Sequence, residues 1–144
     1  MSVSLDYPDR SFQFGRLLAC AQNLESYVNW LEGENRSTNA ERMMHQFSKK
    51  PMKTFDVLKR QLLPYEMKLQ KQRPHIKTQI EGEMNAILTR LSDWMDDVNK
   101  PLTELFIIGY SRQMEEIRKN IADAMERKAQ KKALSDEETL INDR

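Results

Sequence analysis

One cysteine, Cys20, and two histidines, His45 and His75, are all that the 144-residue sequence holds of the residues that cross-link chains or bind transition metals. A lone thiol cannot form an internal disulfide, and a reducing cytoplasm is the expected compartment. There is no Cys pair and no pair of histidines at zinc spacing, so no metal is expected. Glycine (four) and proline (five) are scarce. Strand-rich folds need turn residues at short intervals, so their scarcity argues against sheet. No apolar run approaches the roughly 18–20 residues of a membrane span. The start, Met1 to Arg10, is polar and acidic and lacks the pattern of a secretory signal. No Gly-rich phosphate loop is present. Asp96 and Asp97 are adjacent, so on a helix they point apart and make poor acid–base partners. The chain is therefore expected to be non-catalytic, without cofactor.

What remains is helical periodicity. The length suits a single core. Asp9 or Ser11 can cap a first helix over about Asp9–Glu32, with Phe14, Leu17, Leu18, Ala21, Leu24, Val28 and Leu31 on one stripe and Gly33 at its end. A short helix follows over about Asn39–Ser48. Pro51 opens a third, with Phe55, Leu58, Leu62, Tyr65 and Leu69 inward. Pro64, inside that pattern, is expected to kink or split it. The fourth spans about Pro74–Val98 through Ile76, Ile80, Met84, Ile87, Leu91 and Trp94. The fifth spans about Pro101–Gln130. The expected fold is all-α, a bundle of about five helices over residues 1–134, with a short, acidic, flexible tail at 135–144. Gly15 and Gly109, inside helices, each cost about 1 kcal/mol against Ala, which close approach of a backbone or an aromatic would offset.

The overall charge of +1 conceals two blocks. From Arg36 to Lys77 eleven Lys and Arg face three acids, a net of +8. From Thr78 to Ile117 three basic residues face eight acids, a net of −5. On a wheel at about 100° per residue, with Phe55 at zero, the third helix has its apolar stripe near 310°. Lys49, Lys53, Arg60 and Lys71 fall at roughly 120–160°, and Lys50 and Lys68 near 220°. Solvated faces ordinarily mix both signs, because like charges repel. A one-signed stripe, extended by Arg36, Arg42, Arg73 and Lys77, points to a polyanion whose phosphates release counterions on contact. Phe47 and Tyr65 lie in the same stretch but on apolar stripes, where core packing is the simpler role. Glu41 and His45, four apart, make a surface ion pair more readily than a metal site. Cys20 is expected to pack as a small hydrophobe.

Three motifs carry a resemblance. Phe14-Gly15-Arg16-Leu17-Leu18-Ala19 is similar to the Gly-Arg-Leu-Leu-Ala entry helix in the C-terminal region of the type I-C CRISPR large subunit. Ser48-Lys49-Lys50-Pro51-Met52-Lys53-Thr54-Phe55 resembles its Ser-x-x-Pro-x-x-x-Phe element. Phe106-Ile107-Ile108-Gly109-Tyr110-Ser111-Arg112-Gln113 resembles its Phe-x-x-Gly-Tyr-x-x-Gln signature. Ser111-Arg112 departs from the aromatic and His usual there. The matches keep their order from about Ser11 to Gln113. A separate chain of this kind resembles the small subunit of type I-C Cascade. That resemblance implies a helical bundle stacked in more than one copy, between the large subunit and the crRNA-bearing backbone subunits, helping to hold the displaced DNA strand. It assigns structural roles to Gly15, Arg16, Phe106, Gly109, Tyr110 and Gln113. The phosphate contacts rest on the charge pattern: Arg36, Arg42, Lys49, Lys50, Lys53, Arg60, Lys68, Lys71 and Arg73. The rival expectation is a stand-alone helical adaptor that contacts only protein, through the acidic block Glu81–Glu104.

Overall fold

A computed structural model describes residues 3–142, with side chains through residue 138. Six α-helices and one 3-10 segment follow in order: α1 Arg10–Leu31, α2 Asn39–Arg42, α3 Met44–Lys49, α4 Pro51–Gln72, α5 Pro74–Leu91, the 3-10 segment Ser92–Asp97, and α6 Leu105–Asn142. No strand occurs among the described residues, and the all-α expectation holds. The chain forms two compact units, residues 1–114 and residues 115–144. The first contains α1–α5 and the opening turns of α6. The second consists of the remainder of α6.

In the first unit α1 is the centre. The Asp9 carboxylate accepts the Phe12 N–H at 2.9 Å and fixes its start. Gly33, at φ 69°, ends it in the left-handed conformation. Between these ends every residue from Ser11 to Gln22 is buried. The periodicity predicts one apolar stripe, and that stripe is buried, but Phe12, Ala19 and Cys20 are enclosed on the other sides as well. The cause is that α4, α5 and α2 pack around α1, and α6 crosses it closely. A Cβ on Gly15 would overlap the Phe106 carbonyl, and one on Gly109 would overlap the Phe12 carbonyl. Gly15 and Gly109 are thus the price of backbone-to-backbone contact between α1 and α6, whereas Gly82, inside α5, has nothing within 4 Å of an added Cβ. Phe106 stacks on Phe47 at 5.8 Å, and Phe14 meets Phe47 edge-on at 5.9 Å.

Several boundaries differ from the periodicity. The short helix is two, because the backbone breaks at Met43 (φ −96°, ψ 2°). Glu25 reaches from α1 to accept the Asn39 and Ala40 N–H groups at 2.7 and 3.0 Å, which anchors the start of α2. Pro64 does not split α4. Pro64 and Arg60 are both exposed, so water can satisfy the carbonyl that the missing N–H would have bonded. The fourth helix stops at Leu91 rather than Val98. Ser and Asp are weak helix formers, and Ser92 Oγ donates to the Thr89 carbonyl where α5 gives way to the 3-10 segment, in which Trp94 is off helical geometry (φ −120°, ψ 35°). In the second unit α6 runs past Gln130 to Asn142. Ala, Lys, Glu, Arg and Gln dominate that stretch, and these residues carry a helix by propensity without a buried stripe. Asp143 and Arg144, the end of the expected tail, lie outside the described residues.

Candidate nucleic-acid interface

The helix α4 turns Phe55, Leu58, Leu62 and Leu69 into the core. Its opposite side carries Lys53, Arg60 and Lys71, all exposed. Lys49 and Lys50 are exposed at the corner where α3 ends and Pro51 starts α4. That corner is held rigidly by the segment after the 3-10 turn. Met52 N–H donates to the Val98 carbonyl at 3.2 Å, and Leu102 N–H donates to the Ser48 carbonyl at 2.7 Å. Lys53 N–H donates to Asn99 Oδ1 at 3.0 Å. From α1, the Arg10 guanidinium donates to the carbonyls of Asp97, Lys100 and Pro101 at 2.8, 3.1 and 3.0 Å, and clasps the same segment.

The nine cations chosen from the charge pattern divide into two groups. Lys49, Lys50, Lys53, Arg60 and Lys71 make no side-chain hydrogen bond or ion pair among the described residues. Lys49, Lys50 and Lys53 converge on one shallow cleft of about 360 Å³ between α3 and α4, floored by Met43, Thr54 and Val57. The other four are engaged within the protein. Arg36 pairs with Glu34 at 2.8 Å in the loop after α1. Arg42 donates to the Ser37 carbonyl at 3.2 Å. Lys68 pairs with Glu32 at 2.9 Å and lies 6.0 Å from the centre of the Tyr65 ring. Arg73 caps the end of α4 and donates to the Gln72 carbonyl at 2.8 Å. Exposed pairs of this kind contribute at most about 1 kcal/mol, so they compete weakly with an incoming phosphate.

Two features of this face escape the charge pattern. Lys59, left out of the nine, is a further exposed cation, and its charge acts on the Glu66 carboxylate. Val57, Leu63 and Met67 are 40%, 54% and 67% exposed, so the face is apolar between its charges. The signal was present: on the helical wheel these three lie away from the Phe55–Leu69 stripe. Trp30, near the end of α1, is 65% exposed and touches Tyr27 edge-on at 5.7 Å. Phe47 is fully buried, and Tyr65 packs against the core. Phe47 and Tyr65 therefore offer no free aromatic platform, whereas Trp30 shares a surface pocket with Arg36. Glu41 closes a capping box with Thr38 rather than meeting His45. No cluster of metal-binding side chains occurs among the described residues. No helix among them is long and apolar enough to cross a membrane. Part of the acidic block is used internally, since Glu81 pairs with Lys77 at 3.0 Å and Glu83 with Arg16 at 2.6 Å. Burial, and then Glu81, push the Glu66 carboxyl above its usual range.

The model of one protein family, described as CRISPR-associated protein (Cas_Csd1), matches residues 1–118. The chain belongs to the Cas_Csd1 family. No curated protein and no solved structure matches it. The Cas_Csd1 match covers the whole first unit and every basic residue discussed above. It also covers the motif residues, which the structure gathers where α1 meets α6. There Arg16, 4% exposed, is the hub. Its Nε donates to Gln113 Oε1 at 2.8 Å, and Nη1 donates to the Leu5 carbonyl and to Gln13 Oε1, both at 2.9 Å. Its Nη2 meets Glu83 on α5. Burial lowers the Arg16 pKa and Glu83 opposes that shift. The Tyr110 hydroxyl donates to Gln22 Oε1. In this Cas_Csd1 chain, Gly15, Gly109, Arg16, Gln113 and Tyr110 thus form one latch between the first and last helices of the unit.

Proposed function

We propose that this Cas_Csd1 chain is a non-catalytic, cytoplasmic small subunit of a type I-C Cascade surveillance complex. It stacks with other copies of itself beside the large subunit and the crRNA-bearing backbone subunits. Its basic face holds the displaced non-target DNA strand. The observation that carries this reading is the set of exposed cations without partners at the α3–α4 corner and along α4. Guide pairing supplies sequence choice in such a complex, and strand exchange is nearly balanced. Contacts to the phosphates of the displaced strand then tip the equilibrium without reading bases. Reversing Lys49, Lys53 and Arg60 to Glu should weaken target opening while the helical signal stays unchanged. Unaltered footprints on the displaced strand in complexes carrying that triple variant would refute the proposal.

A second reading is favoured by Val57, Leu63 and Met67. Apolar side chains exposed between the cations suit a protein partner, and the chain would then be a helical adaptor. Binding to a bare oligonucleotide with a steep salt dependence separates the two.

A further inference from the structure

The nine candidate cations are not equivalent, and the cleft between α3 and α4 singles out three of them. Lys49, Lys50 and Lys53 approach it from two successive helices, whereas Arg60 and Lys71 lie further along α4 outside it. No acid lines the cleft. Beside the lysines its lining has the apolar Met43 and Val57 and the uncharged polar Gln46 and Thr54, so a ligand that fits has an anionic edge and a less polar body. The corner that carries the lysines is braced by the hydrogen bonds to the Val98 carbonyl and the Asn99 side chain and from the Leu102 N–H described above. Three like charges on a fixed frame repel one another in the empty state, and an anion relieves that repulsion.

We infer that this cleft seats one nucleotide of a single strand, with its two flanking phosphates among Lys49, Lys50 and Lys53 and its sugar and base edge on Met43 and Val57. The inference rests on the nucleic-acid reading above and makes it local. The cleft is the anchor, and the cations along α4 guide the strand towards it. No aromatic lines the cleft, so the base is not stacked there.

The test uses the full chain and fluorescein-labelled oligo-dT, read by fluorescence anisotropy at several salt concentrations. One variant carries Lys49→Gln, Lys50→Gln and Lys53→Gln. The other carries Lys59→Gln, Arg60→Gln and Lys71→Gln, with the same change in charge. The cleft variant should lose at least tenfold in affinity. The slope of log K against log salt should fall by about 1.4, at roughly 0.7 per single-strand phosphate. The α4 variant should lose severalfold less. All six positions are exposed, so both variants should melt like the parent. Equal losses, or a larger loss in the α4 variant, would overturn the cleft as anchor and leave the basic face as the interface. No salt-dependent binding by the parent chain would remove the nucleic-acid reading itself. Displacement of the oligonucleotide by poly-glutamate at equal charge concentration would overturn both in favour of an acidic protein.

Discussion

Replacing Gly15 by Ala should destabilise the first unit, although Ala is the better helix former. Propensity alone favours the change by about 1 kcal/mol. Against it stands the α1–α6 crossing. The added methyl overlaps the Phe106 carbonyl and presses on the Tyr110 nitrogen, both backbone atoms that no rotamer change can move. Relief requires α6 to lift away, which loosens the Phe106–Phe47 stack and the 2.8 Å bond from Arg16 to Gln113. Overpacking of this kind typically costs about 1–3 kcal/mol, and a rigid backbone neighbour places it at the upper end. The net loss is then about 2 kcal/mol, or a fall in Tm of roughly 4–8 °C at typical unfolding entropies. Gly82→Ala on α5 is the internal control. Nothing lies within 4 Å of its added methyl, so propensity acts alone and stability should rise by up to about 1 kcal/mol. Urea unfolding followed by circular dichroism gives both values. The same substitution should thus carry opposite signs at two glycines. A Gly15→Ala protein as stable as the parent would refute the close crossing.

Arg16→Met should cost roughly 2–4 kcal/mol, because Gln113 and Gln13 lose their buried partner; a denaturant midpoint within error of the parent would contradict the latch. Burial pushes the Cys20 thiol up to about 12, so at pH 8 about one molecule in ten thousand carries a thiolate; an aromatic disulfide reagent should leave the native chain unlabelled and label it in urea. Burial outweighs the two backbone N–H bonds at Glu25 and raises its carboxyl above the ordinary value. A raised folded-state pKa means that the folded form holds the proton more tightly. This stabilisation is full below the unfolded pKa and is lost as pH rises through the folded one. Glu25→Gln should therefore remove a decline in stability between acid and neutral pH, seen as a difference between the two proteins' urea midpoints; parallel pH profiles would refute this.

Much of this architecture can be read in the sequence because helices advertise themselves. The stripes of α4 and α5 appear at the residues their periodicity names, and Asp9, Gly33, Pro51 and Pro74 mark ends that the backbone respects. The enclosure of α1 was not legible. Ser11, Gln13 and Arg16 look like a solvated side; their burial is made tolerable by Thr103 and Gln113 far along the chain and, for Gln13, by the carbonyls of Leu5 and Tyr7 in the segment before α1. The site was legible in sign but not in detail. A wheel places Lys53 and Arg60 outside the core, yet it says nothing of Glu32 meeting Lys68 or Glu34 meeting Arg36. Nor does it show that Lys49, at the end of α3, and Lys50, at the joint between the helices, share a cleft with Lys53. These depend on how helices and loops pack, which a one-helix projection omits.

The enclosure of the first helix also governs how the protein must be made. On a ribosome, α1 emerges long before the residues that cover its buried arginine. Gln113 is separated from Arg16 by 97 positions, and cotranslational closure cannot finish until that glutamine has left the exit tunnel. Until then the nascent chain leaves open the side of α1 that α6 covers, and such intermediates are prone to aggregate. A pause or truncation before residue 113 should therefore yield a chain that needs chaperones, whereas one released soon afterwards can already close.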